Sequence, residues 1–385
     1  MLGCFAMNVL GPIADMPSTT LPNLLALSSE QLCRLVADLG WPRYRATQIL
    51  QWLYQHRVRD IRAMTNLPLD QRATLCRMAA IERASDVQCL VGADGTRKFL
   101  WSPVPNLSVE TILIPEGRRL TLCVSSQIGC TLDCSFCLTG QMGWKRNLRA
   151  HEIVEQVLIA QDHLLPPQRI TSLVFMGMGE PLANIDAVSE AIGRLTNAEW
   201  GLGFSPRRIT LSTAGMVARF ADIARLGVNL AVSLNATTDE QRQLLMPAIN
   251  RLYPLEQLIA GCREYSQKTE CCLTIEYVML AGVNDTMHDA RRLVQLLRGI
   301  RCKVNLIPFN EFASSSYRRP NETVVRQFQA VLRHAGFDVF VRKSRGSDIL
   351  GACGQLGYIP RASAYSRVPT ASAATQHERL VYEHG

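Results

Sequence analysis

The sequence predicts an α/β protein: an open, partial (β/α)6 barrel preceded by a small helical accessory domain. Three observations predict it. From about residue 118 to 341, short β-branched stretches alternate with amphipathic ones, the pattern of repeated βα units. The strand candidates are nearly continuous in apolar residues, as strands buried on both faces are. The clear units number six, short of the eight that close a full barrel.

Composition narrows the class. A chain of 385 residues allows roughly two to three domains. With 47% hydrophobic residues it has enough apolar material for a packed core. No apolar run reaches the ~20 residues that span a bilayer, so no membrane partner is expected. The N-terminal MLGCFAMNVLGPIADM lacks a basic region and a small-residue cleavage site. It reads as an irregular extension over 1–20, or as an early start with Met7 or Met16 as later candidates. The thirteen cysteines are odd in number and unevenly spaced, which excludes a disulfide framework. Without an export signal, a reducing cytoplasm is the expected location. Cys4, Cys33, Cys76, Cys89, Cys262, Cys271, Cys272 and Cys302 read as small apolar fillers. The net charge of +8 permits a polyanionic partner without requiring one.

The elements follow in order. Ser28 and Gln31 form a capping-box pattern ahead of the run LCRLVADLG, which stops at Gly40. A second helix is expected from about Tyr44 to His56, a third from Leu69 to Met78. VQCLVG and KFLWS flank Asp94-Gly95, a hairpin turn. These segments make an accessory domain over 21–105, joined by the Pro103–Pro105 stretch to a catalytic domain over 106–360. There the strands are expected at 119–126, 169–176, 207–213, 229–234, 272–280, 303–309 and 337–341. Helices are expected at 151–164, 185–198, 216–226, 254–267, 286–299 and 322–335. Residues 361–385 are Ser/Ala/Thr-rich and expected to be disordered.

In parallel α/β architectures ligands sit at the carboxyl ends of strands. The chemically suggestive residues fall there repeatedly. The segment GCTLDCSFC, with Cys130, Cys134 and Cys137 spaced C-x3-C-x2-C, follows the first strand. Gly177-Met178-Gly179-Glu180-Pro181 follows the second. Ser212 ends the third, Ser233 and Asn235 end the fourth, and Asn310 follows the sixth. Three thiolates on one tight loop suit an iron–sulfur cluster that keeps one iron free of protein ligands. The bland alternatives are a zinc site completed by His151, a plain glycine turn at GMGEP, and serines and asparagines that merely cap or turn. GMGEP is not a full dinucleotide loop, because Leu182 stands where G-x-G-x-x-G needs its third glycine.

The cysteine loop with its Phe136 and these strand ends together resemble the radical SAM superfamily. WPRYRATQILQWLY (41–54), VETILIP (109–115), LCVSSQIGC (122–130), CLTGQMGWKRNL (137–148), SLNATTDEQR (233–242), GVNDT (282–286) and RKSRGSDILGACGQL (342–356) narrow the resemblance. From about residue 20 to 360 the chain closely resembles the RlmN/Cfr family of RNA adenosine methyltransferases, on its C2-methylating side. The resemblance implies a radical SAM barrel in which Cys130, Cys134 and Cys137 hold a [4Fe–4S] cluster. S-adenosylmethionine (SAM) would bind its open iron, lined by Gly179, Glu180, Ser212, Ser233, Leu234, Asn235 and Asn310. It further implies that Cys353 carries the methyl group as S-methylcysteine, that Glu110 accepts the C2 proton, and that Cys123 forms a disulfide with Cys353.

The implied substrates are 23S rRNA, at the peptidyl-transferase centre, and tRNA, at the adenosine 3′ of the anticodon, with two SAM used per methylation. A reducing electron donor such as flavodoxin and a monomeric state go with this. Arg342, Lys343 and Arg345 are candidate phosphate contacts; Trp41, Arg43 and Arg45 are candidates for gripping RNA from the accessory domain. The alternatives are a C8-methylating enzyme of the same family, a radical SAM activase acting on a protein, and a zinc-stabilised RNA-binding module. An activase would have no use for the Cys123/Cys353 pair.

Overall fold

The computed structural model describes residues 21–269 and 271–357. The N-terminal extension, Cys4 and the C-terminal tail lie outside the described residues. The helices α1 (Ser29–Asp38), α2 (Tyr44–Tyr54) and α3 (Leu69–Met78) open the chain. The capping box at α1 is formed: Gln31 N donates to Ser28 Oγ at 3.2 Å and Ser28 N donates to Gln31 Oε1 at 2.8 Å. Leu32, Val36, Ile49, Leu53 and Leu75 are buried in the same apolar core as the barrel's Val157 and Leu195. The accessory helices are thus packed onto the barrel.

The strands β1 (Gln88–Val91), β2 (Arg97–Val104), β3 (Leu107–Glu116) and β4 (Arg119–Cys123) form an antiparallel meander. Gly95 makes the first turn with φ +79°, as Asp-Gly predicts. The Pro103–Pro105 stretch is not a linker between domains. β2 runs through Pro103 to Val104, its register to β3 shifts between Trp101 and Val104, and the chain turns at Asn106. The shift accommodates a proline that lacks a ladder donor. One sheet therefore continues across residue 105.

After β4 come β5 (Gln127–Ile128), α4 (Leu138–Gln141) and β6 (Arg146–Asn147), a small insertion around the three cysteines. The βα units follow: α5 (Ala150–Asp162), β7 (Ser172–Phe175), α6 (Ile185–Thr196), β8 (Ile209–Thr213), α7 (Phe220–Leu226) and β9 (Asn229–Ser233). Then come α8 (Asp239–Leu245), α9 (Pro247–Leu252), α10 (Leu255–Thr269), β10 (Leu273–Met279), α11 (Met287–Leu297), β11 (Cys302–Pro308), α12 (Glu322–His334) and β12 (Asp338–Val341). The ten-stranded sheet has the order β1-β2-β3-β4-β7-β8-β9-β10-β11-β12, parallel from β4 onward. The parallel part is the open barrel of six βα units that the alternation predicts, ended by β12. The short helices α8 and α9 were not expected. Among the described residues no helix is long and apolar enough to cross a membrane.

Candidate active site

The C-terminal ends of the parallel strands converge on the cysteine loop. Gln127, fully buried, ties three of its parts together. Its Oε1 accepts from Glu180 N at 2.9 Å and from Thr131 N at 3.3 Å, and its Nε2 donates to Asn147 Oδ1 at 2.9 Å. Gly179 has φ +98°, and a Cβ there would stand 2.5 Å from Gln127 Cβ, so this strand end demands glycine. Glu180 is buried and turned inward: its carboxylate accepts from Leu182 N at 3.1 Å and Ala214 N at 2.8 Å. Burial nevertheless raises its pKa from the usual carboxylate value.

The other strand-end residues lie close by. Ser212, Leu234, Asn235 and Asn310 are buried, and Ser233 stands beside Glu276 across β9 and β10. Asn235 adopts φ +58°, accepts from Val278 N at 2.8 Å and contacts Met246 Sδ. The cysteine loop rests on Leu132, Phe136, Leu245, Met246 and Phe309. Ser135 Oγ meets the Tyr317 hydroxyl at 2.8 Å. Burial pushes the Cys130 thiol up to about 12 and raises Cys134 and Cys137 as well.

Cys353 comes to the same mouth from the far end of the chain. Its loop is gripped on every side. Leu138 N donates to Gly354 O at 2.8 Å, Thr139 Oγ1 to Leu356 O at 2.6 Å, and Asn310 Nδ2 to Cys353 O at 3.1 Å. Gln355 Nε2 donates to Glu311 O at 2.8 Å. Cys353 is exposed, whereas Cys123 is buried with Ile112, Met178 and Leu356. Burial raises the pKa of both thiols; each is raised further by the other groups it faces, Cys123 by Cys353, and Cys353 by Glu276 and Cys137. Arg342 opposes the rise at both. A residue can be hemmed in by many atoms and still touch solvent when it lies in a concave mouth, and Cys353 does so. Glu110 is not a surface carboxylate. It is 1% exposed, its Oε2 pairs with Lys98 Nζ at 2.9 Å and accepts from Gly357 N at 3.0 Å, and its Oε1 has no partner.

Comparison with known proteins places this geometry. The radical SAM superfamily profile matches residues 124–296, and the profile of the ribosomal RNA large subunit methyltransferase N-terminal domain matches 22–81. The dual-specificity RNA methyltransferase RlmN of Geobacter sulfurreducens is 47% identical over 338 residues, covering 88% of this chain and 92% of that protein. The chain belongs to the RlmN family. RlmN of Desulfosudis oleivorans is 46% identical over 314 residues, 81% of this chain and 84% of the relative. The crystal structure of a radical SAM methyltransferase from Sphaerobacter thermophilus superposes with a TM-score of 0.82 at 42% identity, covering 87% of this chain and 98% of that one.

The RlmN family uses a [4Fe–4S] cluster and SAM, and the residues present fit both. Three thiols on one loop face a polar ring of strand ends. Each thiolate of a four-iron cluster holds its own iron, so the three need not converge on one ion as zinc ligands do. Among the described residues no three His, Cys, Asp or Glu side chains converge in that way. His151 lines a cavity bounded by the segments before α1 and after α3, by β2 and by α5, together with Arg83 and Glu155 and with none of the three cysteines. Burial lowers its pKa to about 4.

Some expected contacts lie elsewhere. Arg45 donates to Gln48 Oε1 at 2.7 Å and Asn66 O at 3.0 Å, and Trp41 packs on the core, so both serve the accessory fold. Arg342 and Lys343 are exposed, while Arg345 is half-buried with Asp94 3.9 Å away. Sequence reasoning missed Lys98, Gln127, Glu276 and Tyr317. The signal for Lys98 was a lysine inside the apolar strand KFLWS, two places from the residue opposite Glu110.

Proposed function

We propose that this RNA methyltransferase acts on C2 of adenosine in 23S rRNA, at the peptidyl-transferase centre, and in tRNA, at the adenosine 3′ of the anticodon. One observation carries the reading: the Cys353 loop bonds to Leu138, next to Cys137, through Gly354 O at 2.8 Å, and packs on Cys123 through Leu356. A methyl carrier that must meet both the cluster and a resolving thiol needs that position.

The chemistry explains why a carrier is needed. Adenine C2 is an electron-poor sp² carbon and does not attack a sulfonium methyl as a nucleophile does. Cys130, Cys134 and Cys137 would hold the cluster, with Gly179, Glu180, Ser212, Ser233, Leu234, Asn235 and Asn310 around SAM. When bound, cluster and SAM supply the methyl group, the radical that activates it on sulfur, and the acceptor for the adduct's spare electron. Cys353 presents the activated carbon, which bonds to C2. Glu110 takes the C2 proton on its free Oε1. Cys123 then bonds to the Cys353 sulfur, and the S–CH2 bond breaks. The carbon leaves with the electron pair and takes a proton to become the methyl group. Attack requires a thiolate, and Arg342 is the cation beside both sulfurs that favours it. Exposed Arg342 and Lys343 suit RNA phosphates at the rim, and the target base must leave its stack to enter. An electron donor such as flavodoxin, a monomeric state and a cytoplasmic location complete the proposal.

Nucleoside mass spectrometry of 23S rRNA and tRNA from cells with and without this protein tests it. 2-Methyladenosine should be present only with the protein and absent with Cys353→Ala. Normal levels in the deletion strain sink the proposal, and 8-methyladenosine in its place assigns the chain to the C8 reaction.

A further inference from the structure

Lys98 and Glu110 form a closed ion pair inside the sheet, with side chains 0% and 2% exposed. They sit diagonally on neighbouring strands, since Lys98 lies opposite Ile112 and Glu110 opposite Leu100. A buried ion pair is a poor stabiliser, because losing two hydration shells offsets most of the attraction. What these two residues do instead is hold a loop. Lys98 Nζ donates to Leu350 O at 3.2 Å, three residues before Cys353. Glu110 Oε2 accepts from Gly357 N at 3.0 Å, four residues after it. The pair clamps the Cys353 loop at both ends.

The turn between β1 and β2 strengthens one side of the clamp. Ala93 N donates to Asp348 Oδ2 at 2.8 Å, and Gly346 N donates to Asp94 Oδ2 at 3.1 Å. Among the described residues, Lys98 is the charged group set against Glu110. The clamp therefore depends on one negative charge. If Glu110 takes a proton on Oε1, Gly357 loses an anionic acceptor and Lys98 loses its counter-ion. Hydrogen bonds to charged groups are worth about twice neutral ones, so the Gly357 end of the loop loosens.

We infer that Lys98 is a positioning residue that ties the charge on Glu110 to the hold on the Cys353 loop. The loop stays at the base while Glu110 is ionised. It is released toward Cys123 once the C2 proton has moved to Glu110 Oε1, which is the moment the resolving thiol has to reach the carrier sulfur. The inference rests on the proposed role of Glu110 as proton acceptor. The proton transfer itself turns a carboxylate into a carboxylic acid and needs no further reactant.

The test reads the loop without the methylation reaction. Cluster-loaded protein is treated anaerobically with oxidised glutathione, which takes up two electrons and two protons as Cys123 and Cys353 join. Formation of the Cys123–Cys353 peptide pair is timed by mass spectrometry in the native chain, Lys98→Met and Glu110→Gln. Val109→Ala, on the same strand but facing the apolar core, controls for general loosening. Lys98→Met and Glu110→Gln should each form the disulfide about tenfold faster than the native chain, with Val109→Ala unchanged. In Lys98→Met the acid limb of the methylation rate should also move to higher pH, because Glu110 loses the cation that favours its ionised form. Equal rates in all four proteins, or equal acceleration in Val109→Ala, overturn the inference. If Lys98→Met does not fold, Glu110→Gln against Val109→Ala decides. A native chain that makes no 2-methyladenosine overturns the functional reading instead, whatever the disulfide rates.

Discussion

A buried guanidinium, Arg83, helps hold the accessory segment to the barrel, and removing it has a cost that pH sets. Arg83 is 1% exposed at its side chain and reaches Glu155 at 2.7 Å and Asp162 at 2.8 Å, both on α5. In Arg83→Met, Asp162 keeps Arg57 at 2.9 Å. Glu155, 6% exposed, keeps only the Ala84 amide at 3.0 Å and a more distant Arg59. Breaking a buried pair by removing one partner costs about 3–5 kcal/mol. Glu155 has an escape, since it can take a proton. Protonating an ordinary carboxyl, pKa about 4.3, costs about 3.7 kcal/mol at pH 7 and about 1 kcal/mol at pH 5. That sets the ceiling on the electrostatic loss.

The sign follows. Burial already raises the pKa of Glu155 in the folded chain, and losing Arg83 raises it further. The folded state then binds more protons than the unfolded one, so stability falls as pH rises above the unfolded value of about 4.3. Urea unfolding followed by circular dichroism at pH 5, 6 and 7 should show Arg83→Met losing at most about 1 kcal/mol at pH 5 and more at pH 7, up to about 3.7 kcal/mol, with unchanged m. A loss equal at both pH values refutes the reasoning and assigns the role of Arg83 to packing.

Other expectations concern the site itself. Gly179→Ala forces a Cβ into Gln127 at φ +98°, and SAM binding by equilibrium dialysis should weaken about tenfold or more. Asn310→Ala removes the donor to Cys353 O; a neutral hydrogen bond of about 1 kcal/mol predicts roughly fivefold slower methylation at unchanged iron content. Cys134→Ser should lower bound iron and the absorption near about 400 nm expected of cysteine-ligated clusters, with far-ultraviolet circular dichroism retained.

The barrel was legible because its strands are buried on both faces and its helices on one, so periodicity separates them even without caps. β8 and α12 fall within about two residues of their expected bounds. The three cysteines were legible for a different reason, because a loop ligand set is local in sequence. What was not legible is what distance in sequence hides. KFLWS marks a strand, and nothing in it says that Lys98 faces a carboxylate on the next strand and a carbonyl 252 residues away. A lone charge in VETILIP likewise gives no hint that a C-terminal loop covers Glu110. The prolines at 103 and 105 suggested a break; a register shift absorbed them. The helices α8 and α9 span only seven and six residues, too few for a periodic pattern to stand out.

The clamp on Cys353 has a consequence for how the protein is made. Its anchors in the β1–β2 turn and on β2 and β3 precede their partners by 255, 252 and 247 residues. During synthesis Cys123 and the thiols of the cysteine loop are made more than 200 residues before Cys353. Closing so long a loop adds little entropy beyond a loop of half the length, about 0.6 kcal/mol per doubling, so late arrival carries little thermodynamic penalty. It does impose an order on synthesis: the sulfur proposed to carry the methyl group is made after Cys123 and the three loop cysteines.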